Sequence, residues 1–434
     1  MTPSAIRVVV TGMGAVSSVG NSAGELWRAM LEGRSGVAPI TAFSAEGSRP
    51  SYAAEVKAFS PERSGLPRKK LKMMGRHAQL AFAAVQQACA DAGLDANGSI
   101  PNRSRFGVIL GVGMLSADVS ELGRAFDATA RASTWDSFDA AAFGRAGTAQ
   151  MFPLWLLRHI PNLVAAHAAI ALDAQGPSNT IATGCVAGAH ALGEASRLIA
   201  RGDADVLVAG GADARVSPLG MMRYHDLGWL ATRDDIEPAA VSAPFDAHAT
   251  GFVNGEGAGI LVLESLDHAR TRGARILAEL GGYSAANDAH DVLMPHPCGR
   301  ALTRATSRSL EHSGLGVNDV DAVFAPAASV PAFDRAIASA WAPLFGGQEH
   351  RPPVTATRAL LGHAHAASAV LDCIAAVTAL QESLIPPIFN LRQPIADFAF
   401  AGAPACSRPV STAVVGAYGF GGHAAALTWR KYSA

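Results

Sequence analysis

The sequence predicts an α/β protein. Short β-rich runs alternate with long alanine-rich stretches of helical period over the 434 residues, and glycine-containing turns end many of the runs. No proline- or serine-rich linker interrupts this alternation. Alternating strands and helices favour a sheet covered by helices, and the lack of a linker favours one compact body.

Composition excludes several classes of function. The formal net charge is -1 and only 16% of residues are charged, which argues against nucleic-acid or membrane-surface partners. The N-terminus has no basic leader with an apolar segment, and no run of about eighteen apolar residues occurs, so we expect a cytoplasmic protein. Five cysteines without CxxC spacing argue against a disulfide framework and a zinc site. We therefore expect no metal and no cofactor bound by the protein itself.

The first elements set the pattern for the rest. Strand candidates cover residues 7–11, 106–110, 206–209 and 259–263. Gly12 and Gly14 follow the first strand and imitate the start of a dinucleotide fingerprint, but the third glycine and the acidic partner are missing, so we interpret them as a tight turn. The similar glycine-rich ends of VVVTGMG and VVGAYGFGG suggest an internal duplication.

An irregular, aromatic-rich segment covers residues 136–166 and contains Trp155. It fits a lid, a tunnel wall or a subunit contact, and a buried structural loop fits equally well. Met114 and Trp155 are candidates for a tunnel or an interface, with core packing as the simpler role.

Cys185 stands where a strand-like segment meets a glycine and a helix, in NTIATGCVAGAHALGEA. A thiol at a helix N-terminus feels the positive end of the macrodipole, which favours thiolate, and free N–H groups there can stabilise a thioester oxyanion. The alternative is a small buried cysteine at a strand–helix turn, as we expect for Cys89 and Cys373 in their helices.

Two further segments offer partners for this cysteine. His363, in VTATRALLGHAHAASAV, lies at another predicted helix start near Arg358, and a neutral imidazole is the usual partner of a nucleophilic thiol. A cap or packing role is the alternative, and His365 competes for the same position. In GAYGFGGHAAAL, Phe420 lies between glycines, where backbone N–H groups can approach a ligand or can simply form a strand turn.

Taken in order, six segments resemble the β-ketoacyl-ACP synthase family of the thiolase superfamily, in particular its synthase II-like and type II polyketide ketosynthase or chain-length-factor branch. The segments cover essentially the whole chain and are VVVTGMGAVSSVGNSAGELWRAMLEGRSGV, TGCVAGAHALGEA, PFDAHATGFVNGEGAGILVLE, TRALLGHAHAASA, IPPIFN and AYGFGGHAAAL.

The resemblance implies a duplicated thiolase fold layered α-β-α-β-α, with an N-terminal half at 1–265 and a C-terminal half at 266–434. It also implies a homodimer or a ketosynthase heterodimer, and an acyl substrate on the phosphopantetheine of an acyl carrier protein. By the same resemblance Cys185 and His363 are catalytic, and the backbone N–H groups of Cys185 and Phe420 form the oxyanion hole. The residues with supporting roles are Arg358, Glu256, Gly421 and Gly422.

The chain departs from the family pattern at two positions. Pro326 stands where family members usually carry the histidine of an HGTGT-like motif, and proline has no side chain that can titrate, donate or accept. Arg358 replaces the usual lysine, which keeps the charge and changes the geometry. Losing one positioned acid, base or oxyanion donor commonly costs about 10²–10⁴ in rate, so decarboxylation is expected to suffer most.

Three functions remain open from sequence. The first is an acyltransferase that loads an acyl chain from a carrier protein onto Cys185, in fatty acid or polyketide biosynthesis, with decarboxylative condensation impaired. The second is a chain-length-factor-like, non-elongating partner of a ketosynthase. The third is a competent condensing enzyme in which another residue, such as His365 or His423, replaces the missing imidazole.

Overall fold

The computed structural model describes residues 6–47, 49–65, 68–94, 102–113, 119–131, 138–347 and 351–433. The strands are β1 Val8–Val16, β2 Val37–Pro39, β3 Tyr52–Ala54, β4 Phe106–Val112, β5 Ser178–Ile181, β6 Val206–Ala214, β7 Glu256–Ser265, β8 Ala278–Asn287, β9 Ala322–Phe324, β10 Val354–Thr355, β11 Leu384–Ile385, β12 Cys406–Ser407, β13 Thr412–Tyr418 and β14 His423–Arg430. The helices are α1 Ala23–Glu32, α2 Arg68–Leu71, α3 Arg76–Asp91, α4 Val119–Ala130, α5 Ala140–Ala142, α6 Asn162–Leu172, α7 Ala187–Ala200, α8 Pro218–Asp226, α9 Leu266–Thr271, α10 Arg300–His312, α11 Pro331–Phe345, α12 Arg358–Leu361 and α13 Ser368–Glu382. The four strands expected from sequence are confirmed, each with later or wider bounds.

A ten-stranded sheet dominates the fold, in the order β10-β9-β13-β14-β8-β1-β7-β6-β4-β5. Its two halves repeat one pattern. β6 runs parallel to β4 and antiparallel to β7, and β13 likewise runs parallel to β9 and antiparallel to β14. The halves meet where β1 and β8 pair antiparallel through Val9–Glu279 and Val10–Ala278. This repeated topology supports the internal duplication expected from the sequence.

The helices form layers on both sides of the strands. α3 packs on β1, β6 and β7, whereas α10 packs on β8 and β14. α7 and α13 lie between the two halves of the sheet, and α13 is buried from Ser368 to Leu380. A helix buried on all sides reads as apolar throughout, as SAVLDCIAAVTAL does. The expected α-β-α-β-α layering of a thiolase-type α/β fold is confirmed.

The tight turn expected at Gly12 and Gly14 is wrong, because β1 continues through both residues to Val16. The glycines are there because α3 lies directly on the strand. A Cβ built at Gly12 would lie 2.3 Å from the Ala88 carbonyl oxygen, and one at Gly14 would lie 2.0 Å from the Ala84 oxygen. Close packing, and not chain reversal, requires glycine at these positions.

The aromatic-rich segment is irregular, as expected, over its described residues from 138 onward. It contains α5, a π-helical turn at Phe143–Gly147 and a 3₁₀ turn at Trp155–Arg158, and it leads into α6. Phe138 and Phe143 pack with Phe126 of α4, with ring centroids 5.6 to 6.1 Å apart. Asp136 and Met114 lie outside the described residues. None of the helices described here has the length and apolar character needed to cross a membrane.

Candidate active site

Cys185 lies between β5 and α7, as the sequence predicted. The chain leaves β5 at Ile181, turns at Gly184, whose φ is +63°, and forms a 3₁₀ turn over Gly184–Val186 before α7 begins. A left-handed backbone favours glycine at position 184. The thiol is 7% exposed and lies in front of the helix N-terminus.

Two imidazoles contact this thiol. Sγ of Cys185 lies 3.3 Å from Nε2 of His363 and 3.8 Å from Nδ1 of His365, and the ring centroids of the histidines are 4.6 Å apart. His363 lies between α12 and α13, and His365 begins a 3₁₀ turn directly before α13. Both predicted candidates therefore reach Cys185.

Asn254 fixes the tautomer of His365. Its side-chain Nδ2 donates to the carbonyl oxygen of Arg215 at 2.9 Å, so its Oδ1 faces Nε2 of His365 at 2.8 Å. An amide oxygen only accepts, and therefore the proton of His365 is on Nε2. Nδ1 is then unprotonated, and both the Cys185 thiol, at 3.8 Å, and the Tyr224 hydroxyl, at 3.5 Å, lie within reach of its lone pair.

The same Nε2–H tautomer suits His363, but this ring presents its other nitrogen, Nε2, to the sulfur. The Ser368 hydroxyl lies 3.3 Å from Nδ1 of His363. When this hydroxyl donates to Nδ1, the proton of His363 is on Nε2, the atom that faces Sγ. Cys185 thus lies between a donor from His363 and an acceptor from His365. This asymmetry is a property of the tertiary contacts and is not visible in the sequence GHAHAAS.

Burial keeps the three groups uncharged. It raises the pKa of the Cys185 thiol to about 12, more than the nearby Arg215 lowers it. Burial, with Arg358 and Arg215 nearby, lowers the pKa of His363 to about 3, and burial beside His363 holds the pKa of His365 well below its usual range. The thiolate expected from the helix dipole is corrected to a resting thiol, because desolvation outweighs the dipole at this depth.

Arg358 binds the carbonyl group of Ala325, the residue before Pro326. Nη1 of Arg358 donates to the oxygen of Ala325 at 2.8 Å and forms an ion pair with Asp372. Pro326 follows Ala325 at the end of β9. The guanidinium thus holds the end of β9, just before Pro326, against α13. The supporting role expected for Arg358 stays a prediction.

Glu256 lies at the start of β7 and pairs with Arg76 of α3. The Arg76 guanidinium donates to both carboxylate oxygens, at 2.6 and 2.7 Å, and the backbone N–H of Val56 also donates to one of them. Glu256 therefore fixes the N-terminus of α3 and the chain after β3 instead of contacting the thiol.

Residues 419–422, the Phe420 loop, lie next to Cys185. A Cβ built at Gly419 would lie 3.0 Å from Cβ of Cys185, so a larger residue would require Cys185 to shift by a few tenths of an ångström. Gly421 and Gly422 have φ of +73° and +70°, and the N–H of Gly421 donates to the Val292 carbonyl. The ring of Phe420 stacks on Trp229 with centroids 3.9 Å apart. The oxyanion hole from the N–H groups of Cys185 and Phe420 stays a prediction that this proximity supports.

Sequence reasoning missed a buried network behind His365. Tyr224 of α8 stacks on the His365 ring with centroids 5.0 Å apart, and its hydroxyl lies 3.5 Å from Nδ1. Arg215 contacts that hydroxyl and forms an ion pair with Asp213 at 2.7 Å. The only signal in the sequence was polar residues at the end of a buried strand, in GGADAR. The network reaches a cavity of about 650 Å³ that Asp213, His77 and Glu256 help to line.

His423, the other suggested substitute, lies elsewhere. Its ring packs against His190 with centroids 6.2 Å apart, and Nδ2 of Asn287 lies 3.4 Å from its Nδ1. Its described contacts do not include Cys185.

Among the described residues, one set of His, Cys, Asp or Glu side chains is close enough to hold a metal ion, with its sulfur and nitrogen atoms within 4.8 Å of one another: Cys185, His363 and His365. An ion there would compete with an acyl group for the sulfur. The expectation of no metal stays a prediction.

Comparison with known proteins shows the family to which the chain belongs. The β-ketoacyl synthase N-terminal domain model matches residues 5–269, and the C-terminal domain model matches residues 277–392. The chain belongs to the β-ketoacyl synthase family. The curated 3-oxoacyl-[acyl-carrier-protein] synthase 2 of Synechocystis sp. is 35% identical over 98% of both chains, and that of Coxiella burnetii is 34% identical over 96% of both.

Solved β-ketoacyl synthases share the architecture. The ishigamide ketosynthase/chain length factor structure has a TM-score of 0.85 with 30% identity and covers 99% of this chain and all of its own. A type II polyketide ketosynthase, bound to a hexaketide and in complex with its acyl-carrier protein, has the same TM-score with 26% identity and the same coverage. A β-ketoacyl synthase from Burkholderia phymatum has a TM-score of 0.84 with 28% identity, over 99% of this chain and 100% of that one.

Proposed function

We propose that this β-ketoacyl synthase family member transfers an acyl group from the phosphopantetheine thiol of an acyl carrier protein onto Cys185, and that it condenses malonyl units poorly. The observation that carries the proposal is the asymmetric pair of imidazoles. Decarboxylative condensation generates an enolate whose oxygen must be stabilised by donors as its charge develops. Among the described contacts of Sγ, only His363 faces the site with an N–H, because His365 presents its lone pair.

Acyl loading requires fewer hydrogen-bond donors at the site than decarboxylative condensation does. The Cys185 sulfur attacks the thioester carbon, and the oxyanion forms at the N-terminus of α7, beside the Phe420 loop. The carrier thiol leaves with a proton, and the acyl group stays on Sγ. Two buried imidazoles lie next to the sulfur, which supports this step. Pro326 removes a donor that only the second half-reaction requires.

Intact-protein mass spectrometry tests the proposal. Wild type and Cys185→Ala are incubated with an acyl-carrier protein and, separately, with malonyl-carrier protein, while carbon dioxide release is followed. We expect an acyl adduct that depends on Cys185 and little carbon dioxide. An adduct together with rapid decarboxylation would identify a competent condensing enzyme, and no adduct with any acyl donor would rule out catalysis.

A chain-length-factor-like partner subunit is the second candidate. β5 ends the ten-stranded sheet, and Ser178 and Asn179 on it are exposed. Ile170 of α6, the helix packed on β5, is 69% exposed. An exposed edge strand beside apolar side chains is suited to pairing with another subunit, and chain length factors occur among the similar solved structures. Co-expression with a ketosynthase tests this: a heterodimer that forms in preference to a homodimer favours the partner subunit.

A further inference from the structure

The family resemblance assigns no catalytic role to His365 or Asn254. The resemblance gives the imidazole role to His363 alone, yet His365 is just as buried and also reaches the nucleophile. Its backbone has a φ of +47°, a left-handed conformation that costs energy for a residue with a Cβ. Surrounding contacts therefore hold His365 in place, and they aim its ring at the sulfur.

Cys185, His365 and Asn254 are arranged so that a proton can pass from the sulfur to the imidazole ring. The sulfur of Cys185 lies 3.8 Å from Nδ1 of His365, and Nε2 of the same ring lies 2.8 Å from Oδ1 of Asn254. Asn254 is fully buried and is itself fixed by its bond to the Arg215 carbonyl. A nucleophile next to a base that a third group orients is the arrangement of cysteine and serine acyltransferases on unrelated folds.

We propose that His365 is the general base that removes the Cys185 proton during acyl loading, and that Asn254 is the positioning residue that keeps its Nδ1 free to accept that proton. This inference rests on the proposed acyl loading and names its proton acceptor. As the S–C bond forms, the thiol proton passes to Nδ1. When the bond to the carrier sulfur breaks, His365 returns that proton to the departing thiolate.

The same base can also act in a second reaction, in which the acyl group passes from Cys185 to an acceptor. An acyl group on Cys185 is open to attack by an acceptor that carries its own proton, such as water or a thiol. His365 takes that proton, the bond from the acyl carbon to Sγ breaks, and the proton returns to Cys185. A carbon nucleophile made by decarboxylation brings no proton for His365 to remove. The site is therefore suited to transfer to a proton-bearing acceptor.

The buried groups around His365 favour a base that stays neutral. His363 and Tyr224 face its ring. Arg215 contacts the Tyr224 hydroxyl and pairs with Asp213, and burial together with the charge on Arg215 opposes a resting imidazolium. Cys185 also rests as a thiol. Because both groups are neutral at rest, we expect the proton to move as the sulfur attacks, and we therefore expect a solvent isotope effect on acylation.

The test uses p-nitrophenyl acetate, which acylates an activated thiol without a carrier protein. The burst of p-nitrophenolate is measured at pH 7.5 with a chelator present, with Cys185→Ala as the blank. We expect His365→Gln to lower the burst rate about 10²–10⁴-fold, the usual effect of losing a general base. His363→Gln, on the other side of the sulfur, should lower it much less. Equal loss in both variants, or no loss in His365→Gln, would overturn the assignment.

Asn254 provides a matched pair that tests positioning. Asn254→Asp keeps an acceptor for Nε2–H, whereas Asn254→Leu has a similar volume and no acceptor. We expect Asn254→Asp to retain acylation and Asn254→Leu to lose most of it, with a changed pH profile. Equal rates in the two variants would remove Asn254 from the mechanism.

A solvent isotope effect on wild type covers the case in which a variant fails to fold. We expect slower acylation in D₂O, and an equal rate in H₂O and D₂O would contradict proton transfer to His365. A burst that depends on His365 without any adduct from carrier proteins would keep this inference and reject the proposed function. Equal loading from the carrier protein in wild type and His365→Gln would keep the proposed function and reject this inference. Adding pantetheine or leaving water as the acceptor then distinguishes thiol transfer from hydrolysis.

Discussion

Arg358 and Asp372 form a buried ion pair, with Nη1 and Oδ2 2.8 Å apart and side chains 4% and 1% exposed. The Thr357 hydroxyl donates to the other carboxylate oxygen, and the same Nη1 binds the Ala325 carbonyl. Burial raises the pKa of Asp372, although Arg358 and Thr357 oppose that rise. The pair thus ties α12, α13 and the end of β9 together directly behind the nucleophile.

Removing one member of this pair should destabilise the protein. Asp372→Ala leaves a buried guanidinium uncompensated, and breaking a buried pair in this way costs about 3–5 kcal/mol. Urea denaturation followed by circular dichroism measures the loss. Asp397→Ala removes an exposed partner of Arg351 and is expected to leave the urea midpoint unchanged. An unchanged midpoint for Asp372→Ala would contradict a structural role for the pair.

Restoring an imidazole at position 326 should increase decarboxylation. Pro326→His combined with His365→Leu supplies a side chain that can donate at the position where the sequence resemblance predicts a histidine, and it removes the ring beside Cys185. We expect carbon dioxide release from malonyl-carrier protein to rise at least about tenfold, since one positioned donor is commonly worth about 10²–10⁴. His365→Leu alone is the control. No gain in the double variant would mean that Pro326 is not what limits condensation.

Stability should fall as the pH falls below about 6.5. Burial lowers the pKa of His77 and of His190 to about 4 and that of His363 to about 3. Between those values and the unfolded value near 6.5, the unfolded chain binds protons that the folded chain does not, so acid favours unfolding. Each histidine contributes about 1.4 kcal/mol per pH unit within that window.

The urea midpoint, measured between pH 5 and pH 8, checks this effect. His77→Gln should reduce the acid slope by about one histidine's share and leave the slope above pH 7 as it is in wild type. A wild-type midpoint that is flat from pH 7 to pH 5 would contradict the buried neutral state of these rings.

Two glycine substitutions should act in opposite directions. Gly14→Ala places a Cβ 2.0 Å from the Ala84 oxygen of α3, and such overpacking typically costs 1–3 kcal/mol or more. Gly24→Ala, in α1, meets nothing within 4 Å and should stabilise by about 0.5–1 kcal/mol. Thermal unfolding of both variants compares them. A stable Gly14→Ala protein would contradict the close packing of α3 on β1.

Charges on the β5 edge should prevent self-association. Asn179→Lys with Ile170→Lys places positive charges on the exposed edge strand and on the helix next to it. We expect the wild type to be a dimer and the double variant a monomer in light scattering coupled to gel filtration. Val292→Lys, on an exposed residue beside the Phe420 loop, is the control. A double variant that remains dimeric would place the interface elsewhere.

The sequence by itself determined the fold class and the family, and it placed Cys185 at the strand–helix junction where the structure has it. Local pattern was sufficient because the strand, glycine and helix around Cys185 are consecutive in the chain, and glycines with positive φ mark the Phe420 loop. It also marked Pro326 as a departure from the family pattern, which stays a prediction. The turn assigned to Gly12 and Gly14 was wrong because the requirement for glycine comes from α3, more than sixty residues later in the sequence.

Only the tertiary structure decided what surrounds the sulfur. His365 and Asn254 are 111 positions apart, and their contact fixes a tautomer that no local pattern contains. Burial, which depends on packing from both halves of the sheet, kept Cys185 a thiol against the helix dipole. Proton positions and pKa values depend on which distant groups share a dry site, and that information is carried by the fold instead of by neighbouring residues.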